Sequence, residues 1–189
     1  MEKIGYEKRD LLNSRVKDAK QSQKDAQQEF ESAYEQFATL VNFQGGDLEK
    51  KYQQLKKRYD NAKESAENVT EKRQAVETVG QALFKEWRQE ITLYTSPQLR
   101  SQSTAQLKDT ERQFDQLVAQ LKKSEAKIAP VLNPFRDRVL YLKHNLNAKA
   151  ISAMKSDNVR IQQDIRSLIK DMQDAINEAD RFISTMKDA

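Results

Sequence analysis

The side chains that could carry chemistry are few, and their spacing works against it. The chain has 189 residues with a single histidine and no cysteine. Without cysteine there are no disulfides, thiolate zinc ligands or cysteine nucleophiles, and a lone histidine excludes multi-histidine metal sites and most catalytic triads. Helical bundles build di-metal sites from inward glutamates and Glu-x-x-His pairs, but the residue three before His144 is Tyr141. His144 therefore reads as a structural or surface histidine. Ser124-Glu125-Ala126-Lys127 followed by Ser156-Asp157-Asn158 matches, in order, two short motifs of serine β-lactamases and penicillin-binding proteins. The Lys-Thr-Gly element is absent, Ser-x-x-Lys also occurs at Ser14 to Lys17, and Ser124 lies on an apolar seam, so the match is read as chance. Gly45-Gly46 has no Walker or dinucleotide pattern around it and reads as a helix C-cap. Lys50, Lys51, Lys56, Lys57 and Arg58, interleaved with Tyr52 and Tyr59, look superficially like a nucleic-acid surface, yet the tyrosines sit on a seam and belong to the core. No placement of carboxylates singles out an acid/base pair. An enzyme, a metal and a cofactor are not expected.

The elements that hold these residues are helices. Four Gly and three Pro leave little turn chemistry for a sandwich, a barrel or a doubly wound sheet. Hydrophobic residues make up only 37%, a level that usually signals disorder. Long helices packed as coiled coil need only about two apolar residues in seven, so strict periodicity changes that reading. No run approaches the ~18 apolar residues of a membrane span, and Met1 to Asp10 alternates charges without the apolar core of a signal peptide. The net charge of +4 argues for solubility more than for a polyanionic partner.

The first seam is Leu12, Val16, Ala19, Ala26, Phe30, Ala33, Phe37 and Leu40, with Gln23 in its one polar slot. It ends at Gly45-Gly46, where Asp47 can cap the next helix. The second runs from Leu48 through Tyr52, Leu55, Tyr59, Ala62, Ala66, Val69, Arg73, Val76, Gly80, Leu83, Trp87 and Ile91 to Tyr94. Ser96-Pro97 is a cap followed by proline at the first helical position. The third seam, from Leu107 through Phe114, Leu121, Ser124 and Ile128 to Leu146, contains Pro130 and Pro134; the fourth runs from Ile151 through Ile161 and Leu168 to Met186. Gln23 and Arg73, polar residues at seam positions, read as devices that fix register. Ile169, Ile176 and Ile183 widen the last stripe, and burial in a four-helix core is expected for them.

The third reversal belongs either at the prolines or at Asn145 to Ala148. The second choice is preferred, because it gives helices of roughly 42, 48, 49 and 40 residues and antiparallel neighbours should match in length. The expected fold is all-α: one elongated antiparallel helical bundle or coiled coil spanning 1–189, with helices at about 2–43, 47–95, 97–146 kinked at 130–134, and 149–188.

Val139-Leu140-Tyr141-Leu142-Lys143-His144-Asn145-Leu146-Asn147-Ala148 resembles a signature of domain-of-unknown-function family 2959, a group of uncharacterised Gram-negative bacterial proteins. Glu7-Lys8-Arg9-Asp10, Val41-Asn42-Phe43 with Gly45-Gly46-Asp47-Leu48-Glu49, and Ala82-Leu83-Phe84 with Glu86-Trp87 are similar to other motifs of that family, so the resemblance covers essentially the whole chain. Members typically begin with a lipoprotein signal and a lipid-modified cysteine. The resemblance therefore implies a periplasmic or outer-membrane-associated protein, with a possible membrane tether through an N-terminal lipid anchor; this chain instead starts at Met1 without cysteine, so an export segment has been removed or this member is not exported. The family implies no activity, cofactor or site residues.

The expected function is a non-enzymatic structural or interaction protein of the cell envelope that binds a protein partner or itself, as a monomer or weak dimer. The alternative is a module for anionic lipid or nucleic acid, using the third helix: residues 97–148 hold 9 Lys+Arg against 5 Asp+Glu and so carry the whole basic excess. The interaction candidates are Lys143, His144, Asn145 and Asn147. Asparagines at turns cap helices, which gives the bland reading of a reversal; exposed Lys143 and His144 give the functional one, a docking point for an acidic surface.

Overall fold

The computed structural model describes the backbone of residues 2–188 and the side chains of residues 6–187; residues 1 and 189 of the expected helical unit lie outside these. The chain makes four long helical passes. The first is α1 (Glu2–Val41) and the second α2 (Leu48–Ile91). The third is α3 (Pro97–Ala126), continued after one residue by α4 (Ile128–His144). The fourth is α5 (Ala148–Met154), joined through a 3-10 turn at Lys155–Asp157 to α6 (Asn158–Asp188). No strand occurs among the described residues. Each pass packs on the one before it and α6 closes against α1, so the architecture is an all-α up-down-up-down bundle. With 40 residues, α1 alone spans about 60 Å.

The heptad seams are the core. Leu12, Val16, Phe37, Leu40, Leu55, Leu117, Leu142 and Leu168 are all fully buried. Ile176 and Ile183 are buried and Ile169 packs against the core, so the widened last stripe faces inward. The helix ends follow local chemistry. Gly45 and Gly46, at φ +82° and +105°, turn the chain where side chains would be strained. Asp47 Oδ1 then accepts from the Lys50 amide at 3.0 Å, and Ser96 Oγ accepts from the Leu99 amide at 3.3 Å with Pro97 following it.

Three details depart from the heptad reading. The irregularity in the third pass falls at Lys127, one turn before the expected 130–134. Pro130 lacks the amide that would reach back to Ala126, and its ring crowds that same carbonyl, so α3 ends there and the Lys127 amide bonds instead to Ser124 O at 3.2 Å. The fourth pass is interrupted at Lys155–Asp157, where Arg138 of α4 holds the Asp157 carboxylate at 2.9 Å. Finally, α2 stops at Ile91: the amides of Thr92, Leu93 and Tyr94 bond three residues back, and Tyr94, on the extrapolated seam, is exposed.

Candidate functional site

At the third reversal the four candidate residues have separate jobs. Asn145 ends α4: its amide bonds to Leu142 O at 3.3 Å, and its side-chain amide donates to Tyr141 O at 3.0 Å. Asn147 starts α5, accepting from the Ala150 amide at 3.0 Å, while its own amide donates to Asn145 O at 3.0 Å. The asparagines are thus occupied by backbone. Lys143 and His144, in the last turn of α4, are exposed and make no side-chain hydrogen bond or ion pair among the described residues. Leu140, three and four residues before them and 54% exposed, shares their side of the helix, and Tyr141 lies beside it at 49%. The tip therefore presents two large apolar side chains next to two basic ones.

Exposed large apolar side chains mark the opposite tip as well. Tyr6 and Leu11 on α1, Leu93 and Tyr94 in the second reversal, and Leu99 in the first turn of α3 lie within three turns of that end. Beneath them Trp87 donates from Nε1 to Ser103 Oγ at 2.8 Å, and the Arg9 guanidinium lies 4.5 Å above its ring. Among the described residues, every exposed large hydrophobic side chain belongs to one tip or the other, Val159 being the most distant from its own.

Midway along the rod the core turns polar. Ser124 Oγ donates to Gln23 Oε1 at 2.8 Å across the diagonal from α3 to α1, with both residues essentially inaccessible to solvent. On the flank of this layer Arg73 bonds Glu125 and Glu77, Lys122 Nζ lies 2.8 Å from Glu77 Oε1, and Thr70 donates to Glu125 Oε1 at 2.9 Å. The bond to Glu125 is the main reason that the Arg73 pKa is raised. For Glu77 burial pushes upward, but Lys122 and Arg73 outweigh it and hold the carboxyl below the usual range. On the other flank Lys127 Nζ lies 2.8 Å from Asp171 Oδ2 and donates to Ser167 Oγ at 3.0 Å. The sequence pointed to Gln23 and Arg73 separately. The packing of α1, α2 and α3 brings them, with Ser124, to about one level.

The basic excess of the third pass does not form a stripe. Arg112, Lys122, Lys127, Arg136 and Arg138 are ion-paired within the chain, and Arg100 donates to Tyr94 O at 2.7 Å. Lys108 and Lys123 are about four turns apart on α3, and Lys143 is on a separate helix. A groove between α1 and α2 gathers Asp25, Glu29, Glu64, Glu67 and Glu71. Among the described residues no set of three or more His, Asp or Glu side chains is placed to hold a metal ion. Among the described residues no helix is long and apolar enough to cross a membrane.

A family model described as a protein of unknown function, DUF2959, matches residues 1–186. No curated protein and no solved structure matches the chain significantly.

Proposed function

The chain belongs to the DUF2959 family, and from that membership we propose that it is a non-enzymatic spacer of the bacterial cell envelope, a rod that holds two protein surfaces apart. One observation carries the reading: the exposed large apolar side chains sit toward the two tips, while the flanks between them are polar. Apolar side chains next to cations, as in Leu140, Tyr141, Lys143 and His144, suit a partner surface with an apolar centre and acidic rim. Placement in the envelope rests on the resemblance to lipid-anchored family members.

Site-specific photocrosslinking in cells separates this reading from its rivals. A crosslinker at Leu140 and at Leu99 should give discrete protein adducts, and one on the mid-rod flank at Gln74 should give none. Adducts of equal yield at all three positions, or none at the tips, refute the spacer. Fractionation of the natural gene product with the cytoplasm refutes the envelope placement separately.

A further inference from the structure

We propose that the polar layer at Gln23, Arg73 and Ser124 is a joint: the rod consists of two stacked lobes that open independently of one another. Three observations coincide at this level. First, the apolar core divides there into two clusters, with only the α6 seam, Met172, Ala175 and Ile176, buried and apolar straight through. Ala19, Val76, Leu121 and Ala175 belong to one apolar cluster, and Ala26, Val69, Ile128 and Met172 belong to the other. On three of the four passes the seam position between these residues is polar: Gln23 on α1, Arg73 on α2 and Ser124 on α3. Second, the backbone breaks beside the layer, since α3 ends at Ala126 and Lys127 carries a three-residue hydrogen bond. Third, the α2–α3 flank at this level is held by ion pairs in place of apolar contact, Arg73 bridging Glu77 on one side of the layer and Glu125 on the other. Pairs of that kind transmit little cooperativity compared with continuous apolar packing.

The two lobes are unequal. The one containing Leu12, Trp87, Phe114 and Phe182 has a single reversal. The other has two reversals, at 42–47 and 145–147, and the larger apolar cluster. The single-reversal lobe opens first, with the other still folded. The joint stands whether or not the rod bridges two partners.

Native-state hydrogen exchange on the full chain, in a series of low denaturant concentrations, tests this. Amides at Leu83 and Leu117 should exchange at least about tenfold faster than those at Leu55 and Leu168, with a shallower dependence on denaturant, as expected for sub-global opening. One protection level and one slope for both lobes overturns the proposal. In Gln23→Leu/Ser124→Ala, which carries the apolar core through the layer, the two levels should converge; persistence of the full difference in that folded variant also overturns it. Should the double variant not fold, Pro130→Ala decides, because it mends the backbone break and leaves the layer polar. Two levels persisting there assign the joint to the layer, and a single level assigns it to the break and overturns it.

Discussion

Gly80 lies in the interior of α2, where exchanging glycine for alanine would ordinarily stabilise a helix by about 1 kcal/mol. Here the reverse is expected. A Cβ at position 80 would sit 2.3 Å from Cζ and 2.4 Å from Cε2 of Phe114, far inside van der Waals contact. The ring has little room to retreat, because it packs edge-on against Phe84 at 5.2 Å between centroids and against Phe182 at 6.1 Å. Overpacking of a filled core costs about 1–3 kcal/mol, so Gly80→Ala should lose up to about 2 kcal/mol net after the gain in helix propensity. Urea unfolding followed by circular dichroism reads this directly. The diagnostic is the repair: Phe114→Leu made in the Gly80→Ala background should cost less than Phe114→Leu alone, with a coupling of about 0.5–3 kcal/mol. A Gly80→Ala variant that is more stable than the parent by the full propensity gain refutes the reasoning, for it would mean that Phe114 moves aside freely.

Asn147→Ala removes the side-chain cap of α5 and should lower stability by about 1 kcal/mol, read as a fall in melting temperature; an unchanged melt excludes that role. Lys143→Ala/His144→Ala, by contrast, should stay within about 0.5 kcal/mol of the parent, since both side chains are exposed and unpaired, and a larger loss contradicts their placement. Ser103→Ala leaves the buried indole N–H of Trp87 without its acceptor, which should cost about 1–3 kcal/mol and change the fluorescence of the chain's one tryptophan. The lowered pKa of Glu77 means that its contribution is fully present above the ordinary carboxylate range and is lost as the pH falls through that range toward the lower folded value. The urea midpoint should therefore drop on acidification, and Glu77→Gln should reduce that drop; an identical acid dependence in the variant tells against the layer's ion pairs.

The all-α bundle was legible because a heptad pattern needs only residue type and spacing. Leu12 through Leu40 on the first pass and Tyr52 through Trp87 on the second are buried almost residue for residue along their seams. Caps were legible for the same local reason, at Asp47, Ser96 and Asn147. What one helix does to another was not. Gln23 and Ser124 are 101 residues apart, and only the relative register of α1 and α3 brings them within 2.8 Å. The break at Lys127 was displaced because a proline disturbs the turn behind it, not the one it occupies. The seam extrapolated to Tyr94 failed because a heptad pattern contains no stop signal, whereas the threonine hydroxyl of Thr92, which donates to Gln89 O at 2.6 Å, belongs to the end of the helix. The tips were the least legible part of the molecule. Leu140 and Tyr141 are exposed because the bundle has no further helix to cover them, which is a property of the assembled shape.

Four passes are an even number, and this gives the molecule a polarity. Glu2 and Asp188 both belong to the pole that carries Trp87, while Gly45-Gly46 and Asn145 to Asn147 share the other. Whatever is attached to either end of the chain, whether a resin, a dye or a lipid, grips the same pole and leaves the opposite one standing about 60 Å away. Immobilisation by head or by tail should thus present the same face to an incoming partner, and a short linker between the two ends would allow the chain to be opened anew at Gly45-Gly46 with the bundle unchanged.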